Sequence, residues 1–279
     1  MVGIVIECRL GNQLFQYAFI RGLSKKINTP FFINDTIEKF TAADYFYLEG
    51  YNPLKNFINR VYFKLKSGSI SKSLQSVAVD NYSDPIISQA TNEIIYRGYF
   101  QSALFFESIA GNISSHIRIK EKFQQQFSAK YKDTFASNKI IAVHVRRGDY
   151  LNLNDWWQQN LGSNDLTLPA NYYLQGIEQV TDHENCRIIF VSDDMEFARA
   201  TFGHIKNAEF ASNEMIIDFQ ILMNADACII SNSSFSWWAA YLNQKENKQI
   251  ICPRYWLGFK IKKEYPANIV PDNWIQVTI

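Results

Sequence analysis

The polar residues able to do chemistry in this 279-residue chain gather where apolar runs end. The first group is Ile140-Ile-Ala-Val-His144-Val-Arg146-Arg147-Gly-Asp149-Tyr150. A strand through the apolar part sets His144 and Arg146 on one face and Val143 and Val145 on the other. Arg147 then opens a loop in which Gly148 permits a sharp turn. Two permanently charged, forked guanidinium groups leaving a buried strand suit a diphosphate. The structural alternative is an ion pair between Arg147 and Asp149. Asp149 is also a candidate general base.

A second group, Arg187-Ile-Ile-Phe-Val191-Ser192-Asp193-Asp194, ends in paired carboxylates. These can bind a metal, hydrogen-bond a ribose or base, or cap the following helix. A metal needs further ligands near by, and the spacing supplies none. The third group, Cys228-Ile-Ile-Ser231-Asn-Ser233-Ser234-Phe235-Ser236-Trp237-Trp238, reads as strand, hydroxyl-rich turn and helix start. Its backbone N–H groups, hydroxyls and helix dipole together make an anion site, and four serines exceed what one cap requires. Trp237 and Trp238 read as core. A weaker signal is the turn Arg9-Leu-Gly11-Asn12-Gln13, where Gly11 allows close backbone approach and Asn12 offers donor and acceptor. The polar loop Leu151–Leu168 carries Trp156 and Trp157, candidate platforms for stacking on a sugar acceptor.

Elements that could position these groups alternate between strand-like runs and helical period, the pattern of a parallel sheet flanked by helices. Strands are expected at Val2–Glu7, Pro30–Ile33, Glu93–Tyr99, Lys139–Val145, Arg187–Val191, Ala227–Ser231 and Gln249–Cys252. Helices are expected at Gln13–Lys26, Glu121–Phe135, Pro169–Thr181, Met195–Phe202, Asn213–Asn224 and Phe235–Asn243. Residues 35–84 show no clear period and read as an irregular or helical insertion. The proline-bearing tail is expected to wrap across the surface. The order fits two Rossmann-like domains, 1–135 and 136–279; one long doubly wound sheet is the alternative. Ligands of such sheets bind beyond the carboxyl ends of the strands.

Leu10-Gly-Asn-Gln-Leu-Phe-Gln-Tyr-Ala18, His144-Val-Arg-Arg-Gly-Asp149 and Ser231-Asn-Ser-Ser-Phe-Ser-Trp-Trp238 resemble the signatures of family 11 glycosyltransferases, the GDP-fucose-dependent α-1,2-fucosyltransferases. The resemblance implies a GT-B-like α/β fold, two Rossmann-like domains facing a central cleft, with the donor mostly in the C-terminal one. It implies transfer from GDP-β-L-fucose to the 2-OH of a galactose-terminated glycan, with inversion and without a metal cofactor. Gly11, Asn12, Arg146, Arg147, Asp193, Ser233, Ser234 and Phe235 would then bind the donor. His144, Arg146 and Asp149 would be catalytic, and Trp156 and Trp157 would hold the acceptor. In the wider fucosyltransferase group an Asp sixteen residues before the phosphate-binding Ser contacts guanine; Asp218 stands 234 − 218 = 16 before Ser234. Cys8-Arg9 replaces the glycines usual just before Leu-Gly-Asn-Gln. Fucosyltransferases of another linkage and a catalytically silent binding module are the rival readings.

Composition narrows the rest. A net charge of +1 gives no global attraction for nucleic acid or anionic lipid. The four cysteines form no Cys-x-x-Cys pair, which favours free thiols in a reducing compartment over disulfides or zinc. Gly-x-Gly-x-x-Gly, Walker-type and Gly-x-Ser-x-Gly motifs are lacking, which disfavours oxidoreductase, NTPase and hydrolase readings. The first residues lack the pattern of a signal peptide, and no apolar run reaches membrane-spanning length. The expectation is a cytoplasmic protein with, at most, a peripheral contact at the inner face of a membrane.

Overall fold

A computed structural model describes residues 1–67, 74–76 and 93–279. The chain divides into two compact units, Met1–Lys120 with Pro266–Ile269, and Glu121–Tyr265 with Val270–Ile279. The division falls before helix Glu121–Ser137 rather than near residue 136, because that helix is tied into the second unit. Gln220 Nε2 donates to the Phe123 carbonyl at 3.0 Å, and Asn213 Nδ2 donates to the Tyr131 hydroxyl at 3.0 Å.

The first unit holds a parallel sheet of β1 (Val2–Val5), β2 (Phe31–Asn34), β4 (Leu74–Ser76) and β5 (Ile95–Arg97), in the order β2-β1-β5-β4. Strands β3 (Phe46–Leu48) and β6 (Ile117–Ile119) form a separate antiparallel pair. Every residue of β1 and β2 is buried, as expected when both faces of a parallel sheet are covered. Helix Leu10–Lys26 starts three residues earlier than its apolar period indicates, because two buried glutamines hold its first turns. Gln13 donates to the carbonyls of Cys8 and Lys39, both at 2.9 Å, and accepts from Ala42 N and Thr41 Oγ1. Gln16 bridges the Glu7 N–H and the Gly98 carbonyl. The glutamines of the first motif are therefore structural.

Within 35–84, residues 68–73 and 77–84 lie outside the described residues. The described part includes the helical alternative, helix Pro53–Ser67, which sets its polar side inward. Asn52 Oδ1 accepts from Lys55 N at its start, and Pro53 occupies the first turn, where no N–H is needed. Asn56 accepts from Ile33 N at 2.6 Å and donates to the Ile33 carbonyl at 3.0 Å, and Asn59 donates to the Phe31 carbonyl. Both reach the outer edge of β2, which lies at the end of its sheet. Asn56→Ala is expected to destabilise the protein by about 2–4 kcal/mol, because it orphans both the N–H and the C=O of buried Ile33. A urea titration with an unchanged midpoint would contradict this.

The second unit is a six-stranded, wholly parallel sheet of β7 (Ile140–Val145), β8 (Arg187–Ser192), β9 (Ala208–Ala211), β10 (Ala227–Ile229), β11 (Gln249–Pro253) and β12 (Ile275–Val277). Its order is β9-β8-β7-β10-β11-β12. Counted from β7 that is 3-2-1-4-5-6, the doubly wound order, whose direction reverses between β7 and β10. Two strands escape the sequence pattern. Strand β9, Ala-Glu-Phe-Ala, is short and only partly buried. The tail does not simply wrap the surface: Ile275, Gln276 and Val277 pair with Ile251, Cys252 and Pro253 as the sixth strand. Pro266–Ile269 belongs to the first unit, where Ser102 Oγ donates to the Asn268 carbonyl at 2.7 Å.

Trp237 and Trp238 are fully buried, as expected. Cys186, Cys228 and Cys252 are buried free thiols, and Cys8 is free and exposed. No described helix is long and apolar enough to cross a membrane.

Candidate active site

The pairing of β7 with β10 ends at Val143 and Ile229, and the polar residues of the first and third sequence groups follow directly at these carboxyl ends. The buried His144 Nδ1 lies 2.8 Å from Ser231 Oγ, joining the two strand ends. Burial, reinforced by the positive charge of Arg146, pushes the His144 imidazole down to about 3. It is therefore neutral at ordinary pH and serves as a fixed hydrogen-bonding group rather than a charge. A second tie crosses the same gap: the Tyr150 hydroxyl donates to the Asn232 carbonyl at 3.1 Å.

Arg146 is largely buried and sits between two carboxylates. Its Nη1 is 2.6 Å from Asp193 Oδ2, and its Nη2 donates to Asp149 Oδ1. Asp193 also accepts from the Arg147 N–H at 2.9 Å, so β8 braces the arginine loop of β7. Both Asp193 oxygens are thus committed to positioning arginines, and a donor could use only their remaining lone pairs. Arg147 turns the other way. Its guanidinium stacks over Phe197, 3.6 Å from the ring centroid, and its Nε donates to Asp194 at 3.2 Å. The proposed Arg147–Asp149 pair is therefore replaced by Arg147–Asp194 and Arg146–Asp149. Asp194 takes the capping role, accepting from Phe197 N at 3.0 Å.

Gly148 is required by this arrangement. A Cβ there would lie 2.3 Å from Asp193 Oδ2 and drive that carboxylate off Arg146. Gly148→Ala is expected to leave the protein folded and to lower kcat by roughly tenfold to a hundredfold. Melting curves paired with initial rates check this; full activity in the variant would mean that Asp193 does not position Arg146.

Helix Ser234–Tyr241 presents its N-terminus at the same strand end. Ser233 occupies the N-cap, yet its hydroxyl makes no capping hydrogen bond. Simple capping therefore does not account for the serine cluster. The first-turn N–H groups have no partners within the helix and carry its positive dipole end. Ser236 is structural, its hydroxyl donating to the Ser233 carbonyl at 3.2 Å, while Ser234 is half-buried at the first turn. Phe235 packs on His144 on one side and edge-on to Phe219 on the other, both at 5.4 Å.

That last contact brings in helix Met215–Asn224, which carries the buried Asp218 next to Phe219. Burial pushes the Asp218 carboxyl up to about 6. The bond donated by Asn213 Nδ2 at 2.8 Å and the charge of Lys130 act in the opposite sense.

The remaining sequence candidates stand on other elements. Gly11 and Asn12 belong to the first unit, in the opening turn of helix Leu10–Lys26, where Gln101 Nε2 donates to Asn12 Oδ1 at 2.7 Å. Cys8 holds φ +63°, a backbone region that favours glycine, so the replaced glycine position keeps a glycine-like backbone. Trp156 and Trp157 do not stand in an irregular loop. They lie on helix Asp155–Leu161, capped by Asn154 Oδ1 and ended by left-handed Gly162; those two cap residues were the overlooked signal. Trp156 is exposed, meets Trp157 edge-on at 5.1 Å and has Tyr265 at 6.1 Å. Among the described residues, no three His, Cys, Asp or Glu side chains converge as a metal site would require.

In a doubly wound sheet ligands bind at such a reversal, and the first-turn N–H groups of a helix placed there suit an anion. The chain belongs to glycosyl transferase family 11, whose profile matches residues 1–277. It is similar to the O-antigen biosynthesis glycosyltransferase WbnK of Escherichia coli, 28% identical over 68% of this chain and 62% of that protein. An α-1,2-colitosyltransferase of Escherichia coli is 26% identical over 96% of both chains. The crystal structure of NodZ α-1,6-fucosyltransferase soaked with GDP-fucose shares the GT-B-like α/β fold, with TM-score 0.52 at 13% identity over 86% of this chain and 92% of that one.

Proposed function

We propose that the chain moves L-fucose from GDP-β-L-fucose to the 2-OH of a terminal β-galactoside, with inversion and without a divalent metal. The observation that carries this reading is the uncapped helix N-terminus at Ser233–Ser234, joined through His144–Ser231 to the strand that leads into Arg146. Such a pair would hold a diphosphate with backbone amides on one side and a guanidinium fork on the other. The family supports a glycosyl donor, and the likeness to the colitosyltransferase and to NodZ soaked with GDP-fucose supports an activated sugar of this kind.

As the bond between the sugar and the β-phosphate breaks, positive charge grows on the sugar and negative charge on the departing oxygen. Arg146 and the first-turn amides would stabilise that oxygen, the task a metal performs in other transferases. His144 positions this pair by fixing Ser231. Asp149 is bonded to Arg146, on the leaving-group side. A base for an inverting attack must stand on the opposite face of the sugar, so Asp149 is better suited to tuning Arg146 than to accepting the proton. Asp218 would read the guanine, accepting from its ring N–H and amino group. Exposed Trp156 offers a flat apolar face to the acceptor.

The test is GDP release from GDP-fucose in EDTA, with lactose, with N-acetyllactosamine and with no acceptor. Acceptor-dependent release with fucose on the galactose 2-OH is the expected result. Turnover that requires a divalent ion would overturn the metal-free mechanism, and attachment at another hydroxyl would overturn the linkage. The near-full-length match to the colitosyltransferase favours one second reading, a donor whose sugar lacks the 3-OH. A higher kcat/KM with GDP-colitose than with GDP-fucose would select it.

A further inference from the structure

Helix Pro53–Ser67 is built inside out. Asn56 and Asn59 face the β2 edge, and Phe63 is the buried aromatic on that side, packed against Phe32. The opposite side carries Leu54, Phe57, Ile58, Val61, Tyr62 and Leu65, each between 42% and 80% exposed. Their spacing of three and four residues makes one continuous stripe along a helix about 22 Å long. Scattered exposed apolar residues need no explanation, but a contiguous stripe on a helix whose polar side is buried does.

The charges bordering the stripe indicate what covers it. The helix contains four basic residues, Lys55, Arg60, Lys64 and Lys66, and no acidic one. At 100° per residue, Lys55 and Lys66 border the stripe on one side, and Lys64 and Arg60 on the other. Arg60 and Lys66 are paired with Asp35 and Glu93, whereas Lys55 and Lys64 form no ion pair among the described residues. Two lysines without an ion pair among the described residues, one on each border of an apolar face, match a helix lying in an interface. The aliphatic stems follow the acyl region and the ammonium groups reach anionic headgroups.

We infer that helix Pro53–Ser67 seats the protein on an anionic lipid surface, lying in the interface rather than spanning it. The deeper insertion falls to Leu54, Phe57, Ile58, Val61 and Leu65. Tyr62 stands at the edge of the stripe, where its hydroxyl can remain in water. The first unit would thus carry a membrane address separate from the chemistry of the second, and the enzyme would work where lipid-linked or surface glycans are assembled.

Flotation of the full-length chain with phosphatidylcholine vesicles, with and without phosphatidylglycerol, tests this. The wild-type chain should float with the anionic vesicles and lose most of that binding in high salt. Phe57→Glu with Leu65→Glu should reduce the bound fraction more than tenfold with the melting temperature unchanged. Lys55→Glu with Lys64→Glu should abolish the preference for anionic lipid. Hydrogen exchange over residues 53–66 should slow when anionic vesicles are added to the wild-type chain. Failure of the wild type to float, flotation unaffected by the Phe57/Leu65 pair, or unchanged exchange would overturn the assignment. So would a lipid-free dimer that the same pair converts to monomer, since the stripe would then belong to a second copy of the chain.

Discussion

Arg146→Ala is expected to lower kcat by about a thousandfold while the protein stays folded and still binds GDP. The guanidinium lies at the strand end where the departing phosphate would sit, so its charge matters most as the sugar–oxygen bond breaks. Its loss leaves little structural damage. Asp193 keeps the Arg147 N–H at 2.9 Å, and Asp149 is half exposed and can be solvated. Arg146→Lys should recover only a small part of the rate, because one ammonium cannot brace on Asp193 and fork onto a phosphate together. Single-turnover transfer measured beside GDP titration separates the chemistry from binding. A folded Arg146→Ala enzyme within tenfold of wild type would remove this residue from the transition state.

Asp218→Asn is expected to move stability and affinity in opposite directions. The folded carboxyl titrates near 6 against an ordinary value near 4, because burial penalises its charge. The folded state therefore binds this proton more tightly than the unfolded chain does. Its contribution to stability is full below about pH 4 and is lost as the pH rises through about 6. Near neutral pH the ionised carboxylate is a cost, on the order of 1–3 kcal/mol, that asparagine does not carry. The variant should melt a few degrees higher at about pH 7.5. It should bind GDP about a hundredfold more weakly, because the amide turns one acceptor into a donor facing the donors of guanine. In the wild type, GDP affinity should fall as the pH drops below about 6, and in Asp218→Asn that dependence should vanish. Calorimetric titration over this pH range is the check; equal affinities in the two proteins would end the guanine assignment.

Much of the second unit is legible in the residues. Short apolar runs such as Ile140-Ile-Ala-Val143, bounded by polar groups, read as strands covered on both faces, and the polar groups that follow them then emerge at strand ends. Arg146, Ser233 and Ser234 were therefore recognisable as site candidates, and the sixteen-residue interval to Asp218 followed from the family resemblance. The partners were not legible. Whether Asp193 or Asp149 meets Arg146, and whether Asp194 caps a helix, depends on β8 lying beside β7, and strand order leaves no periodicity in a chain.

The first unit shows the same limit more sharply. Gln13 reads as the end of a polar turn and Gln16 as a residue of the helix that follows, but the backbone around them consumes their amides. Within 35–84 the helical alternative holds for Pro53–Ser67, but its bounds were not legible, because apolar period is read on the assumption that apolar means inward, whereas here two asparagines face the sheet edge. Strand β12 is three residues long, too short for any pattern, and exists because β11 offers a free edge. Local periodicity and residue chemistry thus carry the covered strands, their helices and the kinds of group at the strand ends, because those depend on neighbours in sequence. The pairing of Arg146 with two carboxylates, the uncapped state of Ser233 and the outward turn of an apolar helix face arise between segments distant in sequence. Those features exist only once the chain has folded.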